Sequence, residues 1–307
     1  MEGSQIEVKE ERSRFWYGNG ELRVIWKLAA FTSVAFAALI ASGIALMLVE
    51  QLFDTIPLLT NPTAGSLSLL VATIVASAFC MRFIDRAPLS GIGLGFSRRH
   101  AWHFISGLAA AMAMITLFVL ISAVAGMIEV RPSSVTILHA IETLGNGALL
   151  FVVVSLSEEI LMRGYPFRSI VKASRPTLAL AVTSLFFALI HYNNPSLDLL
   201  ALGNIFLAGV WLGRGLVVSG SLWLPIGLHM GWNFAMGTLF GLPVSGVRTI
   251  GVFVSRTSGP DWITGGVFGP EGGILATCIL LIGTGALSLP SIVRRLRVSD
   301  PQIGDLP

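Results

Sequence analysis

The sequence predicts an all-α, polytopic transmembrane bundle of about eight helices with both termini in the cytoplasm, and three observations predict it. Mean hydropathy is +0.79, and 54% of residues are hydrophobic. Only 12% are charged, against about 25% in soluble domains, so a water-compatible surface cannot be built from this inventory. The apolar residues fall into runs of about 20, the length a helix needs to cross the hydrocarbon core. The third observation is where the basic residues lie between those runs. The net charge of +3 matches basic loops beside a membrane and gives no reason to expect a nucleic-acid partner.

Residues 1–24 mix Glu7, Lys9, Glu10, Glu11, Arg12 and Arg14 and lack the basic start and short apolar core of a secretory signal, so they read as a cytoplasmic tail. Eight runs follow within a transmembrane domain of residues 25–297: 28–49, 64–81, 104–128, 148–171, 177–192, 197–213, 222–241 and 273–293. Residues 298–307 form a second cytoplasmic tail. With the N-terminus inside, the cytoplasmic segments hold 17 of the 20 basic residues, leaving out only Arg131, Arg248 and Arg256. That asymmetry sets the orientation, and the bacterial plasma membrane is the expected location. The fifth and sixth runs are short and joined by Asn193-Asn194-Pro195, which suits either two upright spans or a re-entrant pair. Ser258 to Gly273, with Trp262 and Phe268, reads as one compact outer loop. Cys80 and Cys278 sit in apolar runs, where a thiol acts as a small hydrophobe, and no disulfide framework follows.

An ionisable group at the centre of a bilayer costs about 2.5–3.5 kcal/mol on insertion scales, so such groups are functional candidates. They cluster here. The fourth run contains Glu158, Glu159 and Arg163, the fifth ends with Phe187 and His191, and the seventh carries His229 and Asn233. If the fourth helix continues through Tyr165 to Lys172, with a kink at Pro166, both glutamates lie about 20 Å from its cytoplasmic end; His191, His229 and Asn233 lie at about 22, 14 and 20 Å along their own helices. All can share one layer. The i, i+4 spacing puts Glu159 with Arg163, and His229 with Asn233, on common faces. Simpler readings exist for each part: a Glu-Arg pair can be helix glue, a histidine can hydrogen-bond across helices, and Phe187 alone is packing. His103 and His139, near the membrane borders, fit ordinary interfacial roles. The convergence of two carboxylates, two imidazoles, a carboxamide and a guanidinium exceeds what helix association requires.

At these residues the chain resembles the CPBP family of intramembrane proteases, which includes type II CAAX prenyl endopeptidases and Abi bacteriocin-immunity relatives. The family pattern Glu-Glu-x-x-x-Arg, Phe-x-x-x-His, His-x-x-x-Asn is met in order by Glu158, Glu159 and Arg163, by Phe187 and His191, and by His229 and Asn233. The resemblance covers about residues 145–240. It implies an endopeptidase acting on a membrane protein or lipidated peptide at the bilayer, CAAX-like prenylated substrates included, with Glu158 and His191 activating water. His229 and Asn233 can donate to the oxyanion, and Glu159 and Arg163 can fix the geometry. Which of the adjacent glutamates faces the substrate is open at this level, because neighbours on a helix point about 100° apart. A non-proteolytic scaffold or immunity protein and a proton-coupled transporter are the alternatives, although no inverted repeat supports the latter. Cofactors reduce to none or one divalent metal such as zinc, held by Glu158, His191 and His229. The absence of a His-Glu-x-x-His helix favours the metal-free reading.

Overall fold

The computed structural model describes residues 16–18, 21–53 and 60–296, so Lys9, Arg12, Arg14, Arg297 and most of both tails lie outside the described residues. A short hairpin, β1 (Tyr17–Gly18) with β2 (Glu21–Leu22), leads into α1 (Val24–Phe53). Then come α2 (Pro62–Phe79), which ends in a π-helical turn over Cys80–Ile84, α3 (Arg98–Val124), strand β3 (Ile128–Pro132) and α4 (Ile137–Arg163). The chain continues through α5 (Tyr165–Ala173), α6 (Pro176–Ile190), α7 (Leu199–Ser219) and α8 (Trp223–Asn233), the last extended by a π turn over Phe234–Leu239. Strand β4 (Phe253–Thr257), the single turn α9 (Asp261–Thr264), α10 (Ile274–Ala286) and α11 (Pro290–Leu296) complete it.

Local chemistry sets these boundaries. Asn61, Ser97, Thr136 and Asp198 each cap the following helix with a side-chain oxygen that accepts from backbone N–H groups two or three residues on. Pro176 starts α6 at a position where a missing N–H costs nothing, and Gly220 ends α7 in the left-handed conformation (φ +68°). Between α4 and α5 the break falls at Gly164, not at the kink expected from Pro166. A Cβ on Gly164 would lie 2.4 Å from the Ile160 carbonyl oxygen, so only glycine closes that turn. Pro166 then occupies the first turn of the new helix, where it is tolerated.

The result is a helical membrane bundle. Among the described residues, five spans are long and apolar enough to cross a bilayer: Val24–Phe53, Pro62–Ile84, Arg98–Val124, Ile137–Ala173 and Leu199–Ser219. The pair α10 and α11, bent by 70°, would make a sixth. The expected eight therefore divide unequally. The sixth run, thought short, is a full helix of 21 residues, whereas α6 has 15 residues and α8 has 11 before its π turn. The first helix turns Phe36, Ile40, Ile44, Leu48 and Leu52 outward, an apolar surface suited to lipid.

At one end Lys27 Nζ sits 3.0 Å from Glu21 and 2.8 Å from Asp85, whose other oxygen is 3.8 Å from Lys172. At the other end β3 and β4 pair antiparallel, with Ile128 opposite Thr257 and Pro132 opposite Phe253. His139 is exposed in the first turn of α4, and His103, in the second turn of α3, is completely buried against protein. In the 258–273 loop, Phe268 is buried and Trp262 exposed.

Candidate active site

The candidate residues meet between α4, α6 and α8 around a cavity of about 500 Å³. Glu158, Phe187, His191, His229 and Asn233 all line it. Glu159 and Arg163 do not; they are packed behind it, with neither side chain exposed at all. The ambiguity between the two glutamates is thus resolved geometrically: Glu158 faces the cavity and Glu159 faces protein.

On the protein side, Glu159 Oε1 accepts from Arg163 Nη1 at 3.0 Å and bonds His229 Nδ1 at 3.0 Å. Arg163 Nη2 donates to the Gly209 carbonyl on α7 at 2.9 Å, and the guanidinium lies 4.5 Å from the centre of the Phe187 ring. Phe187 is therefore more than packing. It stacks on Arg163, and its carbonyl receives His191 Nδ1 at 2.7 Å. With one nitrogen of each imidazole so engaged, the Nε2 atoms of His191 and His229 are the ones that approach Glu158. Each lies 3.9 Å from Glu158 Oε2, beyond direct hydrogen-bonding distance. That oxygen is buried and has no hydrogen-bond partner.

Helix ends and close packing create this arrangement. His191 occupies the C-cap of α6, where the chain leaves the helix into the Asn193-Asn194-Pro195 turn. His229 and Asn233 lie one turn apart on α8, whose backbone is pressed against α3. A Cβ on Gly227 would fall 2.1 Å from the Phe104 carbonyl oxygen, so this contact admits no side chain.

Among the described residues no three His, Cys, Asp or Glu side chains are gathered to hold a metal ion. His191 Nε2 and His229 Nε2 each stand 3.9 Å from Glu158 Oε2, and the three do not form a metal-binding set in this arrangement.

Three further polar residues that line the cavity and were not anticipated are linked to one another by hydrogen bonds. Glu271 and Ser245 come from the segment after α8, and Asn194 from the turn after His191. Glu271 stands just outside the last apolar run, in a loop read as structural; its burial is the only signal, and burial there is not visible in the sequence.

A family model described as type II CAAX prenyl endopeptidase, Rce1-like, matches residues 140–235. That stretch, roughly a third of the chain, runs from early α4 to the π turn after α8 and contains all seven motif residues. No match to the chain was found among curated proteins or among solved structures.

Proposed function

We propose that this integral membrane protein, whose residues 140–235 belong to the CPBP family of CAAX-type proteases, is an intramembrane endopeptidase that uses Glu158 as general base. The observation that carries this reading is the unpaired, buried Glu158 oxygen, equidistant at 3.9 Å from two imidazole nitrogens, on a side chain that lines the cavity. Beyond 3.5 Å the carboxylate and the imidazoles make no direct bond, and a water entering from the cavity is the group that would link them.

In the proposed mechanism that water donates one hydrogen bond to Glu158 and the other to His191 Nε2. The Nδ1–H of His191 is committed to the Phe187 carbonyl, which leaves Nε2 as the acceptor. Glu158 removes the water proton as the oxygen adds to the scissile carbonyl carbon. The new oxyanion accepts from the Asn233 carboxamide and from His229 Nε2–H. Because His229 Nδ1 already faces the Glu159 carboxylate, donation from Nε2 as well requires the doubly protonated ring. When the C–N bond breaks, the leaving amine takes the proton from Glu158. The products are a carboxylate and an amine. Glu159 and Arg163 touch no reacting atom in this scheme and act as positioning residues.

The substrate class that fits is a membrane protein or a lipidated peptide, since the site opens among apolar helices. Quantitative membrane proteomics tests the reading. In cells carrying Glu158→Gln, a membrane polypeptide should accumulate uncut while the variant itself inserts at wild-type levels. Removing the general base should slow cleavage by about 10²–10⁴-fold. Full processing by Glu158→Gln would sink the mechanism.

A further inference from the structure

The segment that follows α8 returns to the cavity and fastens itself there through one carboxylate. Glu271, 7% exposed, uses Oε1 to accept from the Trp232 indole N–H at 3.1 Å. Its Oε2 accepts from the Ser245 N–H at 2.9 Å and from the Ser245 hydroxyl at 2.6 Å. Ser245 is held in the left-handed conformation (φ +47°), which a non-glycine residue keeps only when its surroundings over-determine it. Its carbonyl in turn accepts from Asn194 Nδ2 at 3.0 Å. The backbone of Glu271 is anchored as well, its carbonyl accepting from Asn204 Nδ2 at 2.8 Å on α7.

These bonds form a chain with a defined route. One end is Trp232, on α8 between His229 and Asn233. The other is Asn194, three residues beyond His191 in the turn that closes α6. Glu271 and Ser245 are the only links in that route, and neither reaches His191, His229 or Glu158 directly. Covalently the two ends are 38 residues apart and belong to different helices. The close packing of α8 on α3 fixes His229 and Asn233, whereas His191 sits at the C-terminal end of α6, in a turn whose Tyr192 and Asn193 are exposed. Its own helix holds the ring through the Phe187 carbonyl, and the Asn194–Ser245–Glu271 bonds tie the turn itself to α8.

We propose that Glu271, acting through Ser245 and Asn194, is a positioning residue that holds the His191 turn at its working distance from the α8 donors. This rests on the protease reading above for its consequence, but not for its geometry. A misplacement of about 1 Å in such a site costs on the order of 100-fold in rate.

Two measurements on the purified full chain in nanodiscs test it, one of which needs no substrate. In a Cys80→Ser, Cys278→Ser background, spin labels at Tyr192 and at Val124 on the outer end of α3 report the distance from the His191 turn to the α3–α8 unit. Wild type should give one narrow distance distribution. Glu271→Ala and Asn194→Ala should broaden or shift it, and Ser245→Ala, which removes only the hydroxyl bond, should do so less. An unchanged distribution in both alanine variants would overturn the proposal.

The second measurement uses a quenched fluorogenic farnesylated CAAX peptide as probe. Glu271→Ala and Asn194→Ala should each lower kcat by at least tenfold with KM changed less than threefold. The double variant should be no slower than the worse single one, because both cut the same chain. Glu271→Gln, which keeps an acceptor for Ser245, should fall between alanine and wild type. Multiplicative losses, or an effect confined to KM, would count against positioning and make the segment a substrate wall instead. If wild type leaves this peptide uncut, the protease reading fails for that substrate class, and the spin-label distances still decide the role of Glu271.

Discussion

Glu158 and Glu159 are neighbours on α4, and the two sides of that helix live in different worlds. On one side Glu159 Oε1, Arg163, the Gly209 carbonyl and His229 Nδ1 form a fully buried cluster at distances of 2.9–3.0 Å, with Glu159 Oε2 and Arg163 Nε left without a partner. On the other, Glu158 and two imidazole nitrogens face a cavity at 3.9 Å with a carboxylate oxygen unpartnered. The lesson is that burial and ionisability do not separate architecture from chemistry, since both sides have both. What separates them is access: the Glu159 cluster is closed off and bonded at 2.9–3.0 Å, whereas Glu158 lines the cavity with its imidazole neighbours at 3.9 Å. The sealed side contributes orientation, and the open side retains groups with capacity to bind something new.

The comparison can be broken hardest from the sealed side. Arg163→Met should take the guanidinium partner from Glu159, leaving it only His229 Nδ1, and breaking a buried pair in this way costs about 3–5 kcal/mol of stability. Heat or denaturant unfolding in detergent should show it, together with loss of activity. Glu158→Gln, by contrast, should leave stability within about 1 kcal/mol of wild type while stopping cleavage. If Arg163→Met proves as stable as wild type, the sealed cluster does not hold the bundle together.

Asn233→Ala probes the open side alone. It should cost about 2.7–4 kcal/mol in transition-state stabilisation, the scale of one oxyanion donor, with little change in melting temperature. A loss below tenfold would remove Asn233 from the oxyanion site. Gly227→Ala affects both sides at once, because the added methyl must push α8 away from the Phe104 carbonyl. Overpacking of this kind costs about 1–3 kcal/mol. The expected reading is a modest drop in unfolding midpoint with a larger drop in kcat, and equal effects on both would mean that α8 is not a positioning element. The smallest effect is expected from chelation: prolonged treatment with a strong chelator should leave activity intact and the protein should hold well under one zinc per chain, since Glu158, His191 and His229 are not gathered around a metal position. Stoichiometric zinc, with activity lost on chelation and restored by zinc, would require His191 and His229 to be ligands.

Much of this was legible in the residues themselves. The i, i+4 relation of Glu159 and Arg163 appears as an ion pair of 3.0 Å, and that of His229 and Asn233 appears as two side chains lining one cavity. Depth along each helix, reckoned at 1.5 Å per residue, brought His191 and His229 to the level of Glu158. The expectations that missed share a cause. The break at Gly164 depends on whether one Cβ fits beside a carbonyl, and the full length of α7 depends on caps at Asp198 and Gly220 that hydropathy does not register. Phe187, packing when taken alone and a motif position beside His191, shows its contact with Arg163 only in the folded bundle, since apolar periodicity does not reveal it.

By itself the sequence determined that this chain lives in a bilayer, which segments are apolar, and which polar residues share a helix face. Those properties follow from composition and from the short-range period of a helix, and neither depends on what lies across the bundle. Only the tertiary structure decided which glutamate meets the cavity, since a rotation of α4 of about 100° would exchange them. It also brought Glu271 to Ser245 across 26 residues and Asn194 to Ser245 across 51. Contacts at that separation arise from how helices and loops pack, where one methyl too many or one hydrogen bond too few changes the answer, and no local pattern encodes them.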